Sequence, residues 1–283
     1  MAKTTATTKP LASWQLRAQK LTSWYAKPWQ VVRPFFRRFW LFLYIVVAIL
    51  GSQLSIHQSP IVGVYVNAAA FILLIGLALL YLPARPLAIS AAIIPITMMV
   101  TLSLPQTSVF AQVTVFYEAL LVLTLVYRYV FTLDEPLQNT KLSLRGYATM
   151  VPIMLVVGQI LGVISYFLLR HHYDFSVHTT LPLVAAASIV FAITEEAFFR
   201  GLIQQRANHL LHPALAAVLS LALFVDVSIG HTTILAPLVT AISGVVLVFV
   251  YAKKPNLILT IAINAMSKFT YIGLLATFVL HRL

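Results

Sequence analysis

The sequence contains no cysteine, which removes thiol nucleophiles, cysteine-ligated zinc, iron–sulfur clusters and disulfides from consideration. Charge is almost as scarce. Only 9% of the 283 residues are charged, against about 25% in an average soluble domain. Acids are rarest, with 7 Asp+Glu beside 19 Lys+Arg. Also missing are any repeat of fixed period, any low-complexity tract, and the matched Gly/Pro-broken spans of an inverted-repeat transporter. Hydrophobic residues, by contrast, make up 60% of the chain. A water-soluble protein of this size cannot bury so much apolar surface, so a soluble globular enzyme is excluded and lipid is the expected solvent.

Runs long enough to cross about 30 Å of hydrocarbon fall at 39–56, 61–82, 87–104, 109–131, 147–169, 181–204, 213–230, 233–252 and 257–280. The expected fold class is therefore all-α, a polytopic membrane helical bundle of about 8–9 transmembrane helices. The third and seventh spans are the least regular, because Pro95 interrupts one and Asp226 sits in the other. With a cytoplasmic N-terminus, the inner segments hold Arg85, Arg128, Lys141, Arg145, Arg200, Arg206, Lys253, Lys254 and every cation of the first 38 residues. Only Arg170 and Arg282 fall outside, and Lys268 lies within the last span. This asymmetry obeys the positive-inside rule, so the formal charge of +12 is explained by orientation and nucleic acid is not an expected partner. The plasma membrane is the expected location.

Two regions follow. Residues 1–38 hold Trp14, Trp24 and Trp29 among basic residues and no acid. Trp14, Leu21 and Trp24 can share one helical face, which suggests an amphipathic juxtamembrane segment on anionic lipid; a disordered basic tail is the alternative. The segment has no apolar core before Phe39, so a cleaved signal peptide is not expected. Residues 39–283 form the bundle.

Four acids lie within predicted spans: Glu118, Glu195, Glu196 and Asp226. Each ionisable group at mid-bilayer costs roughly 2.5–3.5 kcal/mol, so each requires a partner, a wet cavity or a function. Glu196 and Arg200 are four apart and should pair on one helical face, whereas Glu195 points about 100° away with no cation in its own helix. An uncompensated carboxylate could act as a general base toward water. Alternatively, the helix simply ends in the headgroups there. Phe224, Ser228 and His231 share a face of the seventh span. The last span carries a polar stripe of Thr260, Asn264, Ser267, Lys268 and Tyr271, which should face the bundle interior with Lys268 against Glu195, Glu196 or Asp226.

Over about 180–275 these residues resemble the CPBP family, the CAAX proteases and bacteriocin-processing proteins of the membrane. Its Glu-Glu-x-x-x-Arg block is intact as Glu195, Glu196 and Arg200. Its Phe-x-x-x-His block aligns with Phe224, but Ser228 stands at the histidine position. Its late His-x-x-x-Asn block aligns with Asn264 and Lys268, after the lead Asn256-Leu257. The resemblance implies a membrane endopeptidase in which Glu195, helped by Glu196, activates water and Arg200 orients the pair. His231, one turn beyond Ser228, would replace the missing histidine, and Asn264 would donate to the oxyanion. The substrate would be a membrane-embedded or lipidated peptide, with a divalent metal such as zinc as a possible cofactor. Ser228, Asn264 and Lys268 equally fit a catalytically degenerate relative serving as scaffold, immunity or accessory protein. A transporter using Glu118, Asp226 and Lys268 is the third expectation. Oligomeric state is not legible.

Overall fold

The computed structural model describes residues 38–51, 59–104, 109–131, 140–170, 180–229 and 235–280, with the side chains of 109–112, 131, 228, 229 and 275–280 excepted. The basic segment before Arg38 lies outside the described residues, as does His231. The chain divides into two compact units, Met1–Leu43 and Tyr44–Leu283. Of the first, the described part is the opening of helix α1 (Arg38–Gly51), where Phe39 and Phe42 stack.

The second unit is all helical among the described residues. After α1 come α2 (Pro60–Leu80), α3 (Arg85–Ser103), α4 (Val109–Phe131) and α5 (Leu144–Leu169). Helix α6 runs from Leu181 to Asn208, followed by α7 (Pro213–Ile229), α8 (Leu235–Lys253) and α9 (Leu257–Leu280). Among the described residues seven helices are long and apolar enough to cross a membrane, so the protein is a polytopic helical bundle. The first and seventh expected spans appear as the shorter apolar helices Arg38–Gly51 and Pro213–Val227. Pro95 does not divide the third span. It sits inside an uninterrupted α3, the most buried of the seven long helices, where packing on α2 and α4 holds the helix through the lost hydrogen bond.

Local chemistry sets the helix starts. Ser59 accepts from the Val62 amide at 3.1 Å with Pro60 at the first position of α2, and Ser143 accepts from the Gly146 amide at 3.1 Å to open α5. Asn256 opens α9 by accepting from the amides of Ile258 and Leu259 at 3.0 and 3.3 Å. The same side chain donates to the Thr140 carbonyl at 2.8 Å and the Tyr147 hydroxyl at 2.9 Å, while the Thr140 amide donates to the Pro255 carbonyl at 2.6 Å. These bonds clamp the start of α5 to the α8–α9 turn.

Helix α9 packs along α5 and α6. Its approach to α5 is set by two glycines four apart. A Cβ at Gly158 would lie 2.3 Å from the Ile263 carbonyl oxygen, and one at Gly162 would lie 2.6 Å from that of Ser267. Only glycine allows backbones this close, and in lipid such small-residue contacts drive helix association. That approach fixes the rotation of α9, and with it the direction of its polar stripe.

Candidate active site

Helix α6 changes its winding at the acidic pair. It is α-helical over Leu181–Glu195, π-helical over Glu196–Gln204, and closes with one α turn, Gln205–Asn208. A π segment shifts the hydrogen-bond ladder by one residue and occurs frequently at functional sites. Here the Phe199 carbonyl also accepts from Ser220 Oγ of α7 at 2.8 Å, which ties the π segment to its neighbour. Glu195, Glu196 and Arg200 are all buried within the protein.

The acids meet α9 as expected. Asn264 Nδ2 donates to Glu195 Oε2 at 2.8 Å and to Glu196 Oε1 at 3.0 Å, so one amide spans both carboxylates. Lys268 Nζ donates to Glu195 Oε1 at 3.0 Å and to the Tyr117 hydroxyl at 3.4 Å. The Tyr117 hydroxyl donates to Glu195 Oε1 as well. Glu196 Oε2 faces Arg200 Nε at 3.5 Å, a looser contact than a bidentate pair. The Arg200 guanidinium lies 4.6 Å from the centre of the Phe224 ring, and its terminal nitrogens meet no hydrogen-bond acceptor among the described residues. Desolvated cation–π contact of this kind is worth about 2 kcal/mol and partly offsets the burial of the charge. Two carboxylates and two cations thus form one network that balances charge inside the bundle.

Nothing in the sequence singles out Tyr117. It stacks on Phe191 with ring centres 4.3 Å apart and 19° between planes, which aims its hydroxyl at Glu195. The sequence signal beside it, Glu118, instead lies on the exposed face of α4. Asp226 is buried on α7, with Oδ2 lacking a hydrogen bond among the described residues. Among the described residues neither acid bonds to Lys268, so the three residues expected to form a transport path share no hydrogen bond or ion pair there. The Ser228 side chain and all of His231 lie outside the described residues, so the substitution of one for the other has no structural account.

The described residues around Glu195 do not suit a zinc ion. Zinc takes imidazole, thiolate or carboxylate donors in a tetrahedron. Here Asn264 turns its amide hydrogens, not its oxygen, toward the carboxylates, and the Lys268 ammonium occupies the position a metal would need at Glu195. Among the described residues no three His, Asp or Glu side chains group together as ligands.

Residues 177–270 match a family model described as Type II CAAX prenyl endopeptidase Rce1-like. The matched stretch contains the entire α6–α9 part of the network and coincides with the region that resembles the CPBP family. This is a family of membrane proteases, which sets the class at a coarse level: an integral membrane protein similar to CAAX-type hydrolases. No curated protein and no solved structure matches the chain.

Proposed function

We propose that this chain is a CAAX-protease-like membrane protein whose peptidase centre has become a closed charge network, so that it acts by holding a membrane-embedded or lipidated peptide segment, or a partner protein, without cutting it. One observation carries this reading. Lys268 Nζ lies 3.0 Å from Glu195 Oε1, on the oxygen that Tyr117 also occupies, while Asn264 takes Oε2. A general base needs a free lone pair within reach of water. The Glu195 carboxylate already accepts from an ammonium, a phenol and an amide, so its oxygens are engaged by the protein rather than offered to water. The Asn264 and Lys268 substitutions in the late motif supply two of those three donors. We further place the protein in the cell membrane with its N-terminus cytoplasmic and its first 38 residues on anionic lipid, a reading supported by the distribution of cations along the sequence.

A second reading is favoured by the 23% exposure of the Lys268 side chain against 7% for Glu195. If substrate draws Lys268 away, Glu195 can take a proton from water, the hydroxide attacks the scissile carbonyl, and Asn264 donates to the oxyanion. The proton then passes to the leaving amine. The two readings separate in cells by comparing membrane-derived peptides from the wild type, Glu195→Gln and Lys268→Asn at matched protein levels. The closed-network reading expects identical peptide sets for wild type and Glu195→Gln. Peptides present in the wild type and lost in Glu195→Gln would overturn it in favour of Glu195-dependent peptide hydrolysis.

A further inference from the structure

Arg145 stands at the unfavourable end of a helix dipole. It is the second residue of α5, and no acid stands in that first turn to answer the partial positive charge of the helix start. Lys141 lies just before it, and across the clamp of Thr140, Pro255, Asn256 and Tyr147 the chain presents Lys253 and Lys254. The lysines of α8 suit the C-terminus they follow, whereas Arg145 is set against its helix end. The positive-inside rule accounts for the side on which all four cations are expected, not for their meeting at one clamp. The Asn256-capped start of α9 brings a second positive helix end to the same place.

All four cations are exposed, and none forms an ion pair among the described residues; Lys253 only lies 5.7 Å from the Phe249 ring centre. Hydrogen bonds therefore hold four like charges and two positive helix ends together at one end of the bundle. Such an arrangement concentrates positive potential at one place and draws an anion to it. Apolar side chains border it: Leu144 is 86% exposed and Ile258 47% exposed. A free phosphate would leave both in water, whereas a phospholipid offers them its first acyl carbons.

We propose that the clamp joining the start of α5, the end of α8 and the start of α9 binds the phosphate headgroup of an anionic phospholipid, with Lys141, Arg145, Lys253 and Lys254 as its cations. This site lies apart from the Glu195 network and does not depend on whether that network is catalytic. Its place at the ends of membrane-crossing helices is where headgroups lie. Because the lipid would brace the first turn of α9, it also steadies the helix that carries Asn264 and Lys268.

The test uses the purified full chain in detergent, with phosphatidylglycerol or phosphatidylcholine added, lipid retention read by native mass spectrometry and unfolding followed by heating. The wild type should retain phosphatidylglycerol over phosphatidylcholine and unfold at higher temperature with it. Arg145→Glu suits a helix start, so that variant should fold, yet its preference for phosphatidylglycerol should fall about fivefold or more, as should that of Lys253→Ala/Lys254→Ala. Equal retention of the two lipids by the wild type would overturn the proposal. So would an undiminished preference in Arg145→Glu. Stabilisation by inorganic phosphate alone, matching that by phosphatidylglycerol, would assign the patch to a soluble anion and reject the lipid.

Discussion

Glu195 and Lys268 come from helices far apart in sequence, and their pairing belongs to the smallest scale. The pair is mostly buried, so removing one member leaves a charge without its partner, at a cost of about 3–5 kcal/mol when burial is complete. The 23% exposure of Lys268 lets water screen part of this, which lowers the expectation to about 1–2 kcal/mol. Glu195→Gln and Lys268→Met should therefore each lower thermal stability, while the double variant should lie closer to the wild type than the sum of the two. Strictly additive losses would show that the two groups do not interact. Most of this pairing was legible beforehand. An acid or a lysine in an apolar span must find a partner, and the polar stripe of α9 pointed Asn264 and Lys268 inward. Tyr117 was not legible, because a tyrosine in a membrane helix is as much at home at an interface as in a core, and only its stacking on Phe191 decides its direction.

At the scale of elements, α5 and α6 place the network by different means. The π segment of α6 begins at Glu196, yet nothing in Glu-Ala-Phe-Phe-Arg-Gly-Leu-Ile-Gln marks it beforehand. Its winding is settled by tertiary contacts such as Ser220 with the Phe199 carbonyl, which sequence periodicity does not reveal. The α5–α9 contact leaves a clearer trace, the Gly158-x-x-x-Gly162 spacing, though it took the structure to show which helix lies against it. Gly158→Ala would set its new methyl 2.3 Å from the Ile263 carbonyl, part of a backbone that cannot step aside without moving α9. A loss of about 1–3 kcal/mol in stability is expected, as for other overpacked sites, together with loosening of the Asn264 and Lys268 contacts. Gly244→Ala is the comparison. Its nearest neighbour is Leu221 Cδ1 at 2.6 Å, the end of a side chain that can rotate, so its effect should be smaller. Thermal unfolding of both variants checks the order, and equal losses would mean that backbone proximity does not limit the α5–α9 contact.

For the whole molecule, the clamp constrains how many times the chain crosses the membrane. Helix α7 has 17 residues and an end-to-end length of about 26 Å, a little short of the hydrocarbon core. By length alone it could lie on one side. The Thr140–Pro255 and Asn256–Tyr147 hydrogen bonds, however, put the start of α5 and the end of α8 at the same end of the bundle. Between those points the chain must cross an even number of times. Helices α5, α6 and α8 each have the length to cross once, so α7 has to supply the fourth passage. This agrees with the alternation of cations in the sequence, where Lys141, the 206–209 region and Lys253–Lys254 fall on one side and Arg170 on the other. Because the chain has no cysteine, a single introduced thiol reports its own side of the membrane without interference. Lys141→Cys, His209→Cys and Lys254→Cys should resist a membrane-impermeant maleimide in intact cells and react after permeabilisation, while Thr180→Cys should react in both. Labelling of Lys254→Cys from outside with Lys141→Cys protected would break the even count, and with it the place of α7 as a crossing helix. Labelling of all three from outside, with Thr180→Cys protected, would keep the count and reverse the orientation.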